Sequence, residues 1–277
     1  MASSSVSGES FDLARVLSTS FSAIARNWKP VFGFALIGGL LTAGFTALQM
    51  NGVSDLMAAR STATSGASPE QAVQLQTAAS LSLFKSPLYW LGVIGSIFAS
   101  SFTNAGLVRG LIGQENGDAA SLGACLSTAL RFGMPMFVLT FLWALGVSFG
   151  MILLIIPAVI LLTMWSVSVP VLIVEKTGVI GAFGRSRALT KGYRWAVFGT
   201  LLVFTILYAI VSSAATGFSS TGLLKLYQSS AFLGFGLSLA VSTLLAPVLT
   251  SFLVALYQEL RLVKEGGGAK GLAEVFA

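Results

Sequence analysis

The side chains best suited to chemistry fall in one short stretch. Residues 171–195 read VLIVEKTGVIGAFGRSRALTKGYRW and hold Glu175, Lys176, Arg185, Arg187, Lys191 and Arg194 between two apolar runs. One carboxylate among several cations suits three roles: an acid–base centre working on a lipid headgroup, an anion site that grips phosphate, or a charged anchor at a membrane surface. The rest of the sequence narrows the choice. There is no histidine, which removes the commonest general base, the Ser-His-Asp arrangement and every His-ligated metal. There is one cysteine, Cys125, so no internal disulfide or thiolate cluster can form. No Walker loop, HExxH pair or paired-carboxylate pattern occurs. The expectation is a chain that is not an enzyme and uses no cofactor or metal. The cluster then reads as a lipid-headgroup or topology cluster, in which Glu175 either merely ends its apolar strip or holds an arginine in place.

The elements around that cluster follow from composition. Of 277 residues, 55% are hydrophobic and only 9% charged, and the mean hydropathy is +0.86. Soluble domains carry about 25% charged residues, so this composition points to an integral membrane protein. The net charge of +6 reads as topology-setting cations in short loops rather than as a nucleic-acid footprint. The amino terminus, MASSSVSGES, lacks a basic region, so no cleavable signal peptide is expected.

A helix needs about 20 apolar residues to cross the bilayer. Charge-free intervals place six spans near 30–50, 88–108, 134–155, 157–174, 195–216 and 231–258, with an outer loop at 51–87 and a tail at 261–277. Residues 132–174 form one charge-free run of 43, about 64 Å as a single helix. That is twice the bilayer, so the run must be two helices joined by a very short turn at Pro157. An even number of spans puts both termini on one side. That side receives thirteen of the sixteen Lys and Arg, and the other only Arg60, Lys85 and Lys225. By the positive-inside rule both termini are expected to be cytoplasmic. Cys125 should lie on the cytoplasmic surface.

The cytoplasmic segments have apolar residues at helical spacing: Phe11, Leu17, Phe21, Ile24 and Trp28; then Leu122, Cys125, Leu126 and Ala129; then Val179, Ile180, Phe183 and Leu189. Each reads as an interfacial amphipathic helix leading into a two-span hairpin, with Ser10 and Thr177 as N-caps and Gly192 as a stop. The fold class is therefore all-α, a six-span polytopic membrane protein, with a candidate three-fold repeat over about 10–109, 118–174 and 178–260. No acid or base falls at a span centre, where ion-coupled transporters keep them. Small residues recur every four positions: Gly92, Ser96 and Ser100; Gly146 and Gly150; Gly234, Ser238 and Ser242. Such faces let helices approach closely, within one bundle or between copies.

Residues 155–199, IIPAVILLTMWSVSVPVLIVEKTGVIGAFGRSRALTKGYRWAVFG, carry Pro157, Pro170, Glu175, Gly178, Ala182, Arg185-Ser186, Leu189-Thr190-Lys191-Gly192 and Trp195. With the closing segment LYQELRLVKEG at 256–266, this pattern resembles the membrane domain of the glycerophosphoryl diester phosphodiesterase family and its stand-alone bacterial inner-membrane relatives. The resemblance spans about 132–266. It implies a multi-pass protein of the bacterial inner membrane. It does not carry over the phosphodiesterase activity, which in that family belongs to a separate catalytic domain. The expected function is a non-catalytic membrane module that interacts with lipid or organises partners; transport or channel-like handling of a small molecule or lipid is the alternative. The expected partners are membrane lipids, through anionic headgroups on the cytoplasmic leaflet, and a second copy or another membrane protein; nucleic acid is not.

Overall fold

The structure is a computed structural model that describes residues 11–64, 68–112, 121–215 and 230–265. Those residues form ten α-helices and no strand. In chain order they are α1 (Leu13–Arg26), α2 (Trp28–Thr64), α3 (Pro69–Lys85), α4 (Pro87–Ile112), α5 (Leu122–Leu153), α6 (Ile155–Met164), α7 (Ser168–Val174), α8 (Gly178–Thr190), α9 (Arg194–Ala215) and α10 (Ala231–Glu265). Six segments are long and apolar enough to cross a membrane: Trp28–Met50, Pro87–Ile112, Leu122–Leu153, Ile155–Val174, Arg194–Ser213 and Phe232–Glu265.

Several boundaries differ from the sequence reading. Most of the outer loop expected at 51–87 is helical among the described residues: α2 runs on to Thr64, and α3 packs back against it. Small polar residues suggested a loop, yet Leu56, Met57, Ala58, Ala59 and Arg60 are good helix formers. Ser68 starts α3 with a reciprocal capping box: its hydroxyl accepts from the Gln71 N–H, and Gln71 Oε1 accepts from the Ser68 N–H. The second amphipathic helix is not separate. Ser121 caps α5, which then continues unbroken through Arg131 and Pro135 into the third span. The apolar face of 122–130 is in phase with the span, so nothing at Arg131-Phe132 makes the chain turn. By contrast, Asn27 breaks the first segment from its span, and Lys191 to Tyr193 break the last, with Gly192 at φ 94°. Ser10 lies outside the described residues, and Asp12 caps α1 by accepting from the Ala14 N–H. Thr177 makes no side-chain cap.

Between the third and fourth spans a single extended residue, Leu154, turns the chain, and Pro157 sits in the first turn of α6. The fourth span is then broken at 165–167. Pro170 has no N–H for the Ser166 carbonyl and its ring crowds that carbonyl, so α6 cannot propagate through it. Hydroxyls take up backbone carbonyls at the break. Ser166 donates to Thr163 at 3.0 Å, Ser168 to Trp165 at 2.8 Å, and Ser186 of α8 to Met164 at 2.7 Å.

The core lies toward the ends of these helices that carry Arg109, Arg131, Lys176 and Arg261, the basic end hereafter. Val16, Val31, Phe34, Leu107, Met136, Leu172, Leu189, Phe252, Tyr257 and Leu260 are fully buried there. Helix α8 belongs to this core through Ala182, Ser186, Leu189 and Thr190. At the opposite end Ile152 to Ile156 and Phe232 are exposed.

Candidate functional site

Helix α7 ends at Glu175, which places that carboxylate against α8 and α10. Its Oε2 accepts from Arg185 Nε at 2.7 Å and its Oε1 from the Tyr257 hydroxyl at 3.0 Å. Arg185 also reaches Glu265 through Nη2, and Arg261 Nε donates to Glu265 at 3.0 Å. The result is a clamp, Tyr257–Glu175–Arg185–Glu265–Arg261, that ties the end of the fourth span and α8 to the end of the sixth. The hydrogen bonds from Glu175 and then Glu265 hold the Arg185 guanidinium above its ordinary pKa. A second tie joins α1 to α10. Buried Glu259 accepts from the Asp12 N–H at 3.0 Å and pairs with Arg15 at 3.6 Å.

The six side chains of the sequence cluster therefore separate. Glu175 and Arg185 pair with each other, while Arg187 is exposed on the outer face of α8 and Lys191 just past its end. Arg194 is half-buried at the start of α9. Lys176 points the site elsewhere, because it lines a cavity of about 460 Å³ with Arg109 of α4 and Arg131 of α5. Ser127, Thr128 and Phe132 complete much of its polar and aromatic wall. Arg131 lies over the Phe132 ring, 5.6 Å from its centre. Lys176 takes φ 52°, a left-handed conformation uncommon for a residue with a side chain.

Sequence reading had treated Arg109 and Arg131 as topology charges only, and had passed over Tyr257, Glu259 and Glu265. The signal for the first pair was thin: each is a lone Arg ending or interrupting an apolar run. For the others it lay in YQELRLVKE, where two acids flank two cations and Arg261 and Glu265 stand four residues apart.

The small-residue faces are used inside the bundle. Gln49 donates to the Gly92 carbonyl at 2.9 Å and to Ser96 at 2.8 Å. A Cβ on Gly146 would meet the Trp165 ring at 2.4 Å, and one on Gly150 would meet the Ala158 backbone at 3.0 Å. Gly234 is buried. Ser100, Ser238 and Ser242 line a cavity of about 300 Å³ with Gly38, Gly39 and Asn104. A larger, mostly apolar cavity of about 470 Å³ lies beside the break in the fourth span, among Asn104, Trp143, Trp165, Ser166 and Phe198. Asn104 borders both, and its Oδ1 accepts from Thr250 at 3.0 Å. Cys125 is buried beside Gly110 rather than at the surface.

The family model of a domain of unknown function (DUF7847) matches residues 88–260. The chain belongs to that family. Comparison with curated proteins and with solved structures found no match. The DUF7847 segment runs from the start of α4 almost to the end of α10, so it includes Glu175, Arg185 and Tyr257 of the clamp and all three cations of the basic cavity.

Proposed function

We propose that this DUF7847 protein is a non-catalytic, multi-pass membrane module that engages anionic lipid headgroups at its basic end. The observation that carries the reading is the pairing of exposed apolar side chains with exposed cations there. Phe21 is 64% exposed, Trp28 56%, Ile180 84% and Trp195 86%. Arg26, Lys29, Arg187 and Lys191 are exposed around them, and Lys29 lies 5.7 Å from the centre of the Trp28 ring. Aromatic and basic groups side by side suit the headgroup layer. Near an anionic leaflet each cation contributes about 1 kcal/mol, so four give a few kcal/mol. On this reading α1 and α8 are interfacial helices and both termini face the cytoplasm of a bacterial inner membrane. The resemblance of 132–266 to the glycerophosphoryl diester phosphodiesterase membrane domain supports a membrane role without the catalytic one. Glu175, the carboxylate of the conspicuous cluster, is held by Arg185 and Tyr257, which suits a positioning role better than acid–base work. A second copy or another membrane protein remains the further partner proposed.

Reconstitution into nanodiscs of equal phosphatidylglycerol and phosphatidylcholine tests this, with bound lipid counted by native mass spectrometry. The anionic lipid should be enriched, and R26Q/K29Q/R187Q/K191Q should lower the enrichment in proportion to charge removed. Equal retention of both lipids by the wild-type protein would sink the reading.

The cavity at the broken fourth span favours a second reading, movement of an amphiphile through the bundle, since discontinuous spans often frame substrate sites. Its polar groups are Asn104, Thr140, Thr163, Ser166, Ser168 and Thr205. Flip-flop of a fluorescent phospholipid in proteoliposomes, faster than in protein-free vesicles and slowed by Asn104→Leu, is the result this reading requires.

A further inference from the structure

We propose that the cavity between α4, α5 and α7 is a binding site for a phosphate-bearing anion. The inference rests on the reading that the basic end meets an anionic leaflet, and it adds a discrete site to a diffuse surface attraction.

Arg131 of α5 and Lys176 of the α7–α8 connection line this one cavity; Arg109 of α4, which keeps an interaction of its own, lies in its wall, and no carboxylate lines it among the described residues. The carboxylate next in sequence to Lys176 is committed elsewhere, because both Glu175 oxygens accept from Arg185 and Tyr257. Converging like charges repel, and an anion seated among them turns that repulsion into attraction. The donor set suits phosphate. Guanidinium groups offer paired N–H donors that match two phosphate oxygens, and an ammonium adds a point charge. Ser127 and Thr128 sit about one helical turn before Arg131, so their hydroxyls share its face of α5. Stacking on Phe132 limits the swing of the Arg131 fork.

Lys176 provides a separate indication. It follows the last turn of α7 with φ 52°, where helices usually place glycine. A cation near a helix C-terminus is favourable, but that preference does not require a left-handed lysine. Strain kept at a residue lining a cavity is a recognised mark of function.

The test uses full-length protein in a maltoside detergent, titrated separately with dihexanoyl phosphatidylglycerol and with inorganic phosphate at constant ionic strength, binding being read by calorimetry. Wild type should bind at least one probe. Arg131→Gln and Lys176→Asn should each weaken it about tenfold or more. Arg131→Lys should weaken it too, because the fork is lost. Lys85→Gln, at the opposite end of the bundle, should leave it unchanged. Asparagine tolerates the left-handed conformation, so Lys176→Asn separates lost charge from lost structure. Lys176→Gly should raise the melting temperature while lowering affinity, opposite signs that a merely structural lysine cannot give. Binding of the lipid that phosphate displaces only weakly assigns the anion to a headgroup. Binding of phosphate that the lipid does not displace assigns it to a soluble ester. Absence of binding by both probes, or equal binding by wild type and the cavity variants, overturns the site. Loss of nanodisc enrichment with intact cavity binding would instead sink only the surface reading.

Discussion

Both oxygens of the Glu175 carboxylate accept hydrogen bonds, one from Tyr257 and one from Arg185, and Arg185 passes the connection on to Glu265. Replacing Glu175 by Gln keeps the shape and removes the charge. Charge-assisted bonds contribute about 1.5–3 kcal/mol when well buried. The Arg185 side chain is 33% exposed, so solvent screening lowers the expected cost of Glu175→Gln to about 1–2 kcal/mol. Thermal unfolding in detergent at a fixed scan rate checks it, and an unchanged melting temperature would mean that the clamp is decorative. Arg185→Lys should cost nearly as much as Arg185→Gln, because one ammonium cannot span two carboxylates as the guanidinium does. At Lys176 the sign reverses. Glycine relieves the left-handed strain, and Lys176→Gly should stabilise by about 0.5–1 kcal/mol. Sequence alone left open whether Glu175 ends its span or holds an arginine, and the structure shows that it does both. The partners at Tyr257 and Glu265 were illegible for a plain reason: they lie about eighty residues away, and nothing local in Glu175-Lys176-Thr177 marks them.

Helices are set by local chemistry where a breaker is present and by packing where it is not. The division of the 43-residue run was legible, since no helix that long fits a bilayer and Pro157 suits a first turn. The break at 165–167 was not, because its cause is Pro170 together with hydroxyls that arrive from another helix. Ser186 is such a hydroxyl, fully buried and donating to the Met164 carbonyl at 2.7 Å. Ser186→Ala leaves that carbonyl without this donor and should cost about 1–3 kcal/mol, read as a lower melting temperature. The Gly146–Gly150 face makes a separate prediction. Alanine at Gly146 would drive its Cβ into the Trp165 ring at 2.4 Å, which should cost about 1–3 kcal/mol of overpacking. Light scattering should give the variant the mass of wild type. A variant that keeps its melting temperature and loses mass would put this face between copies instead of inside one chain.

Across the whole chain, charge and packing point the same way. The span count assigns thirteen of sixteen Lys and Arg to the side of the termini, and the fully buried side chains gather toward the basic end of the helices. Class and span number were legible because hydropathy is a sum over many residues. The core was not, because in a membrane protein apolar residues face lipid and neighbours alike: Leu107 is buried, whereas Leu145 is exposed. The packing dictates how orientation is measured. Cys125 is fully buried, so a maleimide should leave the native protein unlabelled from either side. Single cysteines at exposed Ile180 and Phe84 then report on opposite ends with Cys125 left in place. In cells with a permeabilised outer envelope, an impermeant maleimide should label Phe84→Cys and spare Ile180→Cys until the inner membrane is opened. The reverse pattern would place α8 and its cations outside, against the positive-inside rule, and would leave the basic cavity facing the wrong leaflet for a cytoplasmic headgroup.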